Sequence, residues 1–176
     1  MNLSEHTLVE LKAKVRNLEP LRSRLTALNA LHMGTFRQTD SYFDVPKGRL
    51  KLRQSDKGKE TQLIYYEREN ISRPKRSKVF VAEIPKSTSF SALLKRVLKV
   101  KVTVTKTREI YWRQRTQIHL DTVDSLGCYV EFERRTRNSA KEIDENVKLL
   151  ERLMKTLEIS HENLEKRSYA DLISLK

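Results

Sequence analysis

Apolar and polar side chains alternate along most of this chain. Leu8–Val15 (LVELKAKV) sets Val9, Leu11, Ala13 and Val15 on one side and, following Leu8, Glu10, Lys12 and Lys14 on the other. A period of two is that of a β-strand. Arg49–Gln54 (RLKLRQ) alternates strictly, with Arg49, Lys51 and Arg53 facing one way and Leu50 and Leu52 the other. Thr35–Asp44, Glu60–Arg68, Lys78–Ile84 and Val100–Trp112 read as further strands from their β-branched and aromatic content. In the last of these, Val100, Val102 and Val104 share parity with Lys106, Arg108 and Ile110. Ile118–Glu133 reads as a hairpin turning at Asp124-Ser125-Leu126-Gly127. One face carries His119, Asp121, Glu131 and Glu133, with Tyr129 beside them; the other carries Ile118, Leu120, Val130 and Phe132. Pro46-Lys47-Gly48 and Ser55–Lys59 mark turns, and Asn70–Arg76 reads as a basic, polar loop.

Helical spacing takes over in three places. Leu18, Leu21, Leu25, Leu28 and Leu31 recur at three and four residues, predicting an amphipathic helix over Leu18–Leu31 with Pro20 in its first turn. Ser87–Val97 has Ser87 or Ser89 as N-cap and sets Phe90, Leu93, Leu94 and Val97 on one face. Lys141–Leu157 repeats Ile143, Val147, Leu150, Leu153, Met154 and Leu157. Tyr169, Leu172 and Ile173 predict a short terminal helix packing back onto the sheet. The pattern gives about eight strands joined mostly by short turns, so antiparallel, and enough to close a barrel.

Charge changes the picture next. Over 176 residues, 36 Lys+Arg against 23 Asp+Glu leave a net charge of +13, which calls for an anionic partner: nucleic acid, membrane surface or small phosphates. The length suits a single domain, residues 1–176. One cysteine, Cys128 on the apolar hairpin face, excludes an internal disulfide and any paired-cysteine metal or redox motif. No apolar run approaches the roughly 18 residues of a membrane span, and MNLSEHTLVEL lacks the apolar stretch of a signal peptide. The expectation is a cytoplasmic protein with no membrane partner, monomeric or homodimeric.

The helices need apolar surface to pack on. If they cover the outside of a curved sheet, the charged strand faces look inward. Buried charges persist only when paired, hydrated or ligand-bound, and the faces offer opposing sets. Lys12, Arg49, Lys51, Arg53, Lys106 and Arg108 stand against Glu10, Glu83, Asp121, Glu131 and Glu133. Such a tunnel has cations to grip phosphate oxygens and carboxylates to hold Mg²⁺ or Mn²⁺. The alternative is a half-open sheet whose charged face is solvated.

The ordered set of motifs resembles the CYTH superfamily, the triphosphate tunnel metalloenzymes, which include class IV adenylyl cyclases, thiamine triphosphatases and inorganic triphosphatases. It comprises Glu10-Leu11-Lys12, Tyr42-Phe43-Asp44, Leu50-Lys51-Leu52-Arg53, Lys106-Thr107-Arg108, His119-Leu120-Asp121, Leu126-Gly127 with Glu131-Phe132-Glu133, and Arg167-Ser168-Tyr169 with Leu172. The resemblance implies an α+β fold: a closed eight-stranded antiparallel β-barrel with helices packed outside. It implies phosphate binding by Lys12, Arg49, Lys51, Arg53, Arg68, Lys106, Arg108 and Arg167. Mg²⁺ or Mn²⁺ would be held by Glu10, Glu83, Asp121, Glu131 and Glu133, and catalysis carried by Glu10, Asp121, Glu131 and Glu133. The implied activity is metal-dependent hydrolysis of inorganic, thiamine or nucleoside triphosphate. A class IV adenylyl cyclase making cyclic AMP and pyrophosphate is one alternative. The other is a catalytically weak or inactive binder of polyphosphate or nucleic acid, with outward basic clusters at Arg73, Lys75, Arg76 and Lys78 or at Lys95, Arg96 and Lys99. Two positions depart from the family pattern. Leu8 stands where the first-strand signature Glu-x-Glu-x-Lys has its first Glu, and Tyr66 where many members have Lys, with Arg68 on the same parity to supply the charge.

Overall fold

A computed structural model describes residues 2–57, 60–68, 70–85, 88–137 and 139–176. Eight antiparallel strands form: β1 (Asn2–Val15), β2 (Leu31–Phe43), β3 (Arg49–Ser55), β4 (Glu60–Arg68), β5 (Lys75–Pro85), β6 (Val100–Arg113), β7 (Thr116–Val123) and β8 (Gly127–Thr136). They close in the order β1-β5-β4-β3-β2-β6-β7-β8, with β8 pairing back onto β1. Closure leaves no unpaired sheet edge among the described strands. Four α-helices accompany them: α1 (Glu19–Ala27), α2 (Thr88–Val97), α3 (Ala140–Thr156) and α4 (Tyr169–Ser174). Among the described residues no helix is long and apolar enough to cross a membrane.

The main apolar core lies outside the barrel, as strand parity requires. Val9, Leu11 and Ala13 of β1, Ile118 and Leu120 of β7, and Val130 and Phe132 of β8 pack against Leu21 and Leu25 of α1 and Leu150, Leu153 and Met154 of α3. Cys128 is partly buried against this cluster. Ser139 caps α3 by accepting the Glu142 N–H, satisfying one of the free donors at a helix start.

Several elements depart from the sequence expectation. α1 stops at Ala27 because Asn29 takes a left-handed backbone (φ 53°) that reverses the chain. Leu31 therefore opens β2 instead of closing the helix, and it is exposed. β1 and β2 start earlier than the alternation suggested, and β5 starts at Lys75, inside the stretch read as a loop. Lys75 is opposite Glu10 in the β1–β5 register and is buried, so it does not belong to an outward basic cluster. α2 leaves Leu93 and Val97 of its apolar stripe exposed. Ser87, one of its two expected caps, and the end of the Ser55–Lys59 turn lie outside the described residues.

The terminal helix does not pack on the outer sheet. α4 lies across one end of the barrel, with Tyr169 and Ala170 buried among the inward-facing Tyr42, Tyr66, Val104, Val123 and Tyr129. A capping box fixes its start: Ser168 accepts the Asp171 N–H, and Asp171 accepts the Ser168 N–H. Asp171 also accepts a hydrogen bond from Arg49 Nη2 at 2.9 Å, tying α4 to β3.

Candidate functional site

Inside the barrel is a polar cavity of about 280 Å³, running from Ser168 and Tyr169 at the α4 end to Ser4, Gln62 and Glu83 at the other. Inward parity brings charged residues of seven strands onto its wall. Two charge clusters stand out, one on the wall around Asp40 and one around Glu131 and Glu133, with Asp121 and His119 of β7 buried behind the second.

The cationic group comes from β3 and β6 and is centred on Asp40 of β2. Arg53 Nε and Nη2 donate to Asp40 Oδ1 and Oδ2 at 2.8 and 2.9 Å. Lys106 Nζ donates to Oδ2 at 2.9 Å and Lys51 Nζ to the same oxygen at 3.2 Å. Three cations thus share one fully buried carboxylate. Burial would raise the Asp40 carboxyl, but Arg53, Lys106 and Lys51 together hold it well below its usual range. Burial, with repulsion from Arg53, pulls the Lys51 ammonium down to about 7. Lys51 also lies 5.5 and 5.6 Å from the ring centres of Tyr42 and Tyr66, within cation–π reach.

The acidic group comes from β7 and β8. Asp121 is already saturated: Arg108 Nε and Nη2 donate to its oxygens at 2.7 and 2.6 Å, and the Tyr169 hydroxyl donates at 2.8 Å. Arg108 Nη2 also reaches Glu131 Oε2 at 2.6 Å. Burial opposes ionisation of Glu131, yet the Arg108 guanidinium keeps its carboxyl well below the ordinary value. His119 does not bond to Asp121, its neighbour of like parity. Its Nδ1 faces Glu131 Oε2 at 3.8 Å and Glu133 Oε1 at 3.7 Å instead. One donor atom each from His119, Glu131 and Glu133 lies within 4.8 Å of the others, close enough to hold one metal ion.

The other expected site residues are distributed differently. Glu10 is engaged by Arg68 of β4, so Arg68 is paired rather than left as a free cation. Lys12 lies against the C-terminal segment, donating from Nζ to the Arg167 carbonyl, with the ammonium 4.3 Å from the Tyr169 ring centre. Burial lowers it to about 8. Arg49 is held by Asn70 and Asp171 at the α4 end, outside the main cavity. The Arg167 side chain turns to Glu165 and does not line the cavity. Glu83 lines it at the open end, in register with Asn2 of β1, whereas Glu10 is in register with Glu133, so the two acids stand at different heights. Leu8 and Tyr66 lie in the inner apolar cluster.

Two buried residues escaped the sequence reading. Asp40 lies in a stretch whose strand signal is its Thr, Phe and Tyr content. The signal was its parity with Tyr42, together with the counter-charge that inward Lys51 and Arg53 require. Lys75 was hidden by the preceding Pro74 and its basic neighbours. Its Nζ donates to the carbonyls of Ile71 and Lys166 at 3.3 Å each.

Comparison with known proteins agrees with this geometry. A Methanocaldococcus jannaschii protein named "putative adenylate cyclase" is 28% identical over 184 residues, spanning 95% of this chain and 98% of its own. The PH1012 protein of Pyrococcus horikoshii has the same fold, with a TM-score of 0.82 at 24% identity over 94% of this chain and 98% of that one. The Hippeastrum protein HpAC1, whose structure is described as revealing a dominant triphosphatase activity, shares the fold at a TM-score of 0.60 and 16% identity, over 97% and 95% of the two chains. The CYTH domain family model matches residues 6–169. With that match spanning nearly the whole chain, and a closed barrel whose charges face inward, this chain belongs to the CYTH domain family.

Proposed function

We propose that this protein is a divalent-metal-dependent hydrolase of a triphosphate substrate held inside the barrel. The observation that carries the reading is the convergence of Lys51, Arg53 and Lys106 on the single carboxylate of Asp40. Three positive charges against one leave an excess that a chain of phosphates neutralises, with Arg53 presenting a planar fork to its oxygens.

The opposite wall fits a metal ion. Glu131 and Glu133 bring hard oxygen donors within 4.8 Å of each other and of His119. An ion held there supplies Lewis-acid polarisation of a phosphoryl oxygen. The chain's own groups do the rest. Lys51, Arg53 and Lys106 hold phosphate oxygens in place and stabilise the charge that develops on them. Arg108, anchored by Asp121, is fixed in orientation before substrate arrives. Glu133 keeps 28% side-chain exposure, so its carboxylate is placed to orient an attacking water. The attack forms the new P–O bond as the bridging P–O bond to the departing group breaks.

Phosphate release from inorganic triphosphate, thiamine triphosphate and ATP, each with Mg²⁺ or Mn²⁺, tests the reading. Arg53→Ala and Glu133→Gln are expected to lower kcat/KM by about 100-fold or more; full activity in both overturns it. The name of the M. jannaschii relative favours a second reading, a cyclase, recognised by cyclic AMP and pyrophosphate as products. Leu8 favours a third, a binder without turnover. In that case triphosphate raises the Tm without metal and no phosphate appears.

A further inference from the structure

Within that tunnel reading, His119 does not have the surroundings of a structural histidine. Its side chain is 3% exposed, and its Nδ1 is buried with no hydrogen-bond partner. Its Nε2 lies 3.3 Å from Gln117 Oε1. With Gln117 Oε1 as the acceptor, this contact favours the tautomer that carries its proton on Nε2 and a lone pair on Nδ1. The carboxylates of Glu131 and Glu133 both stand within 4 Å of that atom. Lone pair against carboxylate is repulsive unless a proton or a cation stands between them. Neither carboxylate is within hydrogen-bonding distance of Nδ1: the separations are 3.8 and 3.7 Å. Two ligands each about 2.1 Å from one ion stand roughly 3 to 3.5 Å apart, so His119 Nδ1 is within a few tenths of an ångström of sharing an ion with either carboxylate, and the three donors, within 4.8 Å of one another, close onto one ion by side-chain rotation of the two glutamates.

We propose that His119 is a direct metal ligand through Nδ1, making the tunnel site an imidazole-plus-two-carboxylate site that selects first-row transition ions over Mg²⁺. Gln117 is its positioning residue, fixing the tautomer and the ring plane as an outer partner of a ligating histidine does. The position where Glu-x-Glu-x-Lys relatives place a further carboxylate is Leu8, which offers no donor and lies in the apolar cluster. Asp121 has both oxygens on Arg108 and Glu10 is paired with Arg68, whereas Glu131 shares only its Oε2 with Arg108. The donor set therefore contains one nitrogen, which Mg²⁺ accepts poorly and later first-row ions such as Co²⁺ and Zn²⁺ accept readily.

The test is Mn²⁺ bound to the full-length, metal-stripped protein, read by electron spin-echo envelope modulation. Wild type is expected to show the ¹⁴N modulation of a directly coordinated imidazole. His119→Asn is expected to lose it, and to lower the ratio of Co²⁺ to Mg²⁺ affinity, measured by calorimetry, at least tenfold. Mn²⁺ bound without ¹⁴N coupling, no Mn²⁺ binding, or an unchanged affinity ratio in a folded His119→Asn overturns the assignment. If the variant does not fold, the wild-type spectrum alone decides. Neither readout uses turnover: a coupled ¹⁴N with no phosphate release would sink the hydrolase reading and leave the ligand in place, and phosphate release without the coupling would do the reverse.

Discussion

Asp40 is the side chain on which the cationic wall depends. Replacing it with Asn leaves Lys51, Arg53 and Lys106 facing one another without a counter-charge. Breaking a buried charge cluster by removing one partner costs about 3–5 kcal/mol, so Asp40→Asn should lower stability in chemical denaturation by that order. Inorganic triphosphate should restore much of the loss by taking over the counter-charge. Equal losses with and without triphosphate would show that Asp40 has a different role. Lys51 gives the same wall a pH signature. Its ammonium is pulled down to about 7 in the folded chain, whereas an unfolded lysine keeps its proton to about 10.4. Between those values the unfolded state binds more protons, so this lysine makes the empty protein more stable as pH rises from about 7 to 10. A bound triphosphate restores the proton, so binding at pH 8 should be accompanied by proton uptake. Calorimetry in buffers of differing ionisation enthalpy measures it, and identical apparent enthalpies in all buffers would refute it.

At the scale of elements, the outer helices and the inner wall should separate cleanly in mutation. Leu150 and Leu153 of α3 pack on the outer faces of the strands and face nothing in the cavity. Leu150→Ala is expected to cost about 2–5 kcal/mol of stability while leaving the KM of the folded fraction near wild type. A large KM change would mean that the wall moves with the helix. The same separation explains what was legible in the sequence. Alternation tells which residues share a strand face, and the need to bury Leu21, Leu25 and Leu150 decides which face turns outward. Hence Lys51, Arg53, Lys106, Arg108, Glu131 and Glu133 were all expected on the inner wall. What alternation cannot give is which strands lie side by side. The β1–β5 and β2–β6 pairings bridge long stretches of chain and are set by barrel closure. They put Lys75 opposite Glu10 and bring Asp40 under Lys106. The helix end at Asn29 was missed for a local reason: the leucine spacing runs on through Leu31, and a single left-handed residue overrides it.

Over the whole molecule, the barrel and α4 make a chamber with unlike ends. Tyr169 and Ser168 line one end, with the Arg49–Asp171 ion pair beyond it; Ser4, Gln62 and Glu83 line the other. A substrate whose organic part is wider than the chamber must enter with its terminal phosphate leading, so the fragment that goes in first sits behind the fragment that follows it. If such a substrate is hydrolysed as proposed, the two products should leave in a fixed sequence, the organic one first and phosphate last. Steady-state kinetics would display this queue: phosphate should inhibit competitively against substrate and the organic product noncompetitively. Competitive inhibition by both would mean that the α4 end opens during turnover and serves as an exit of its own.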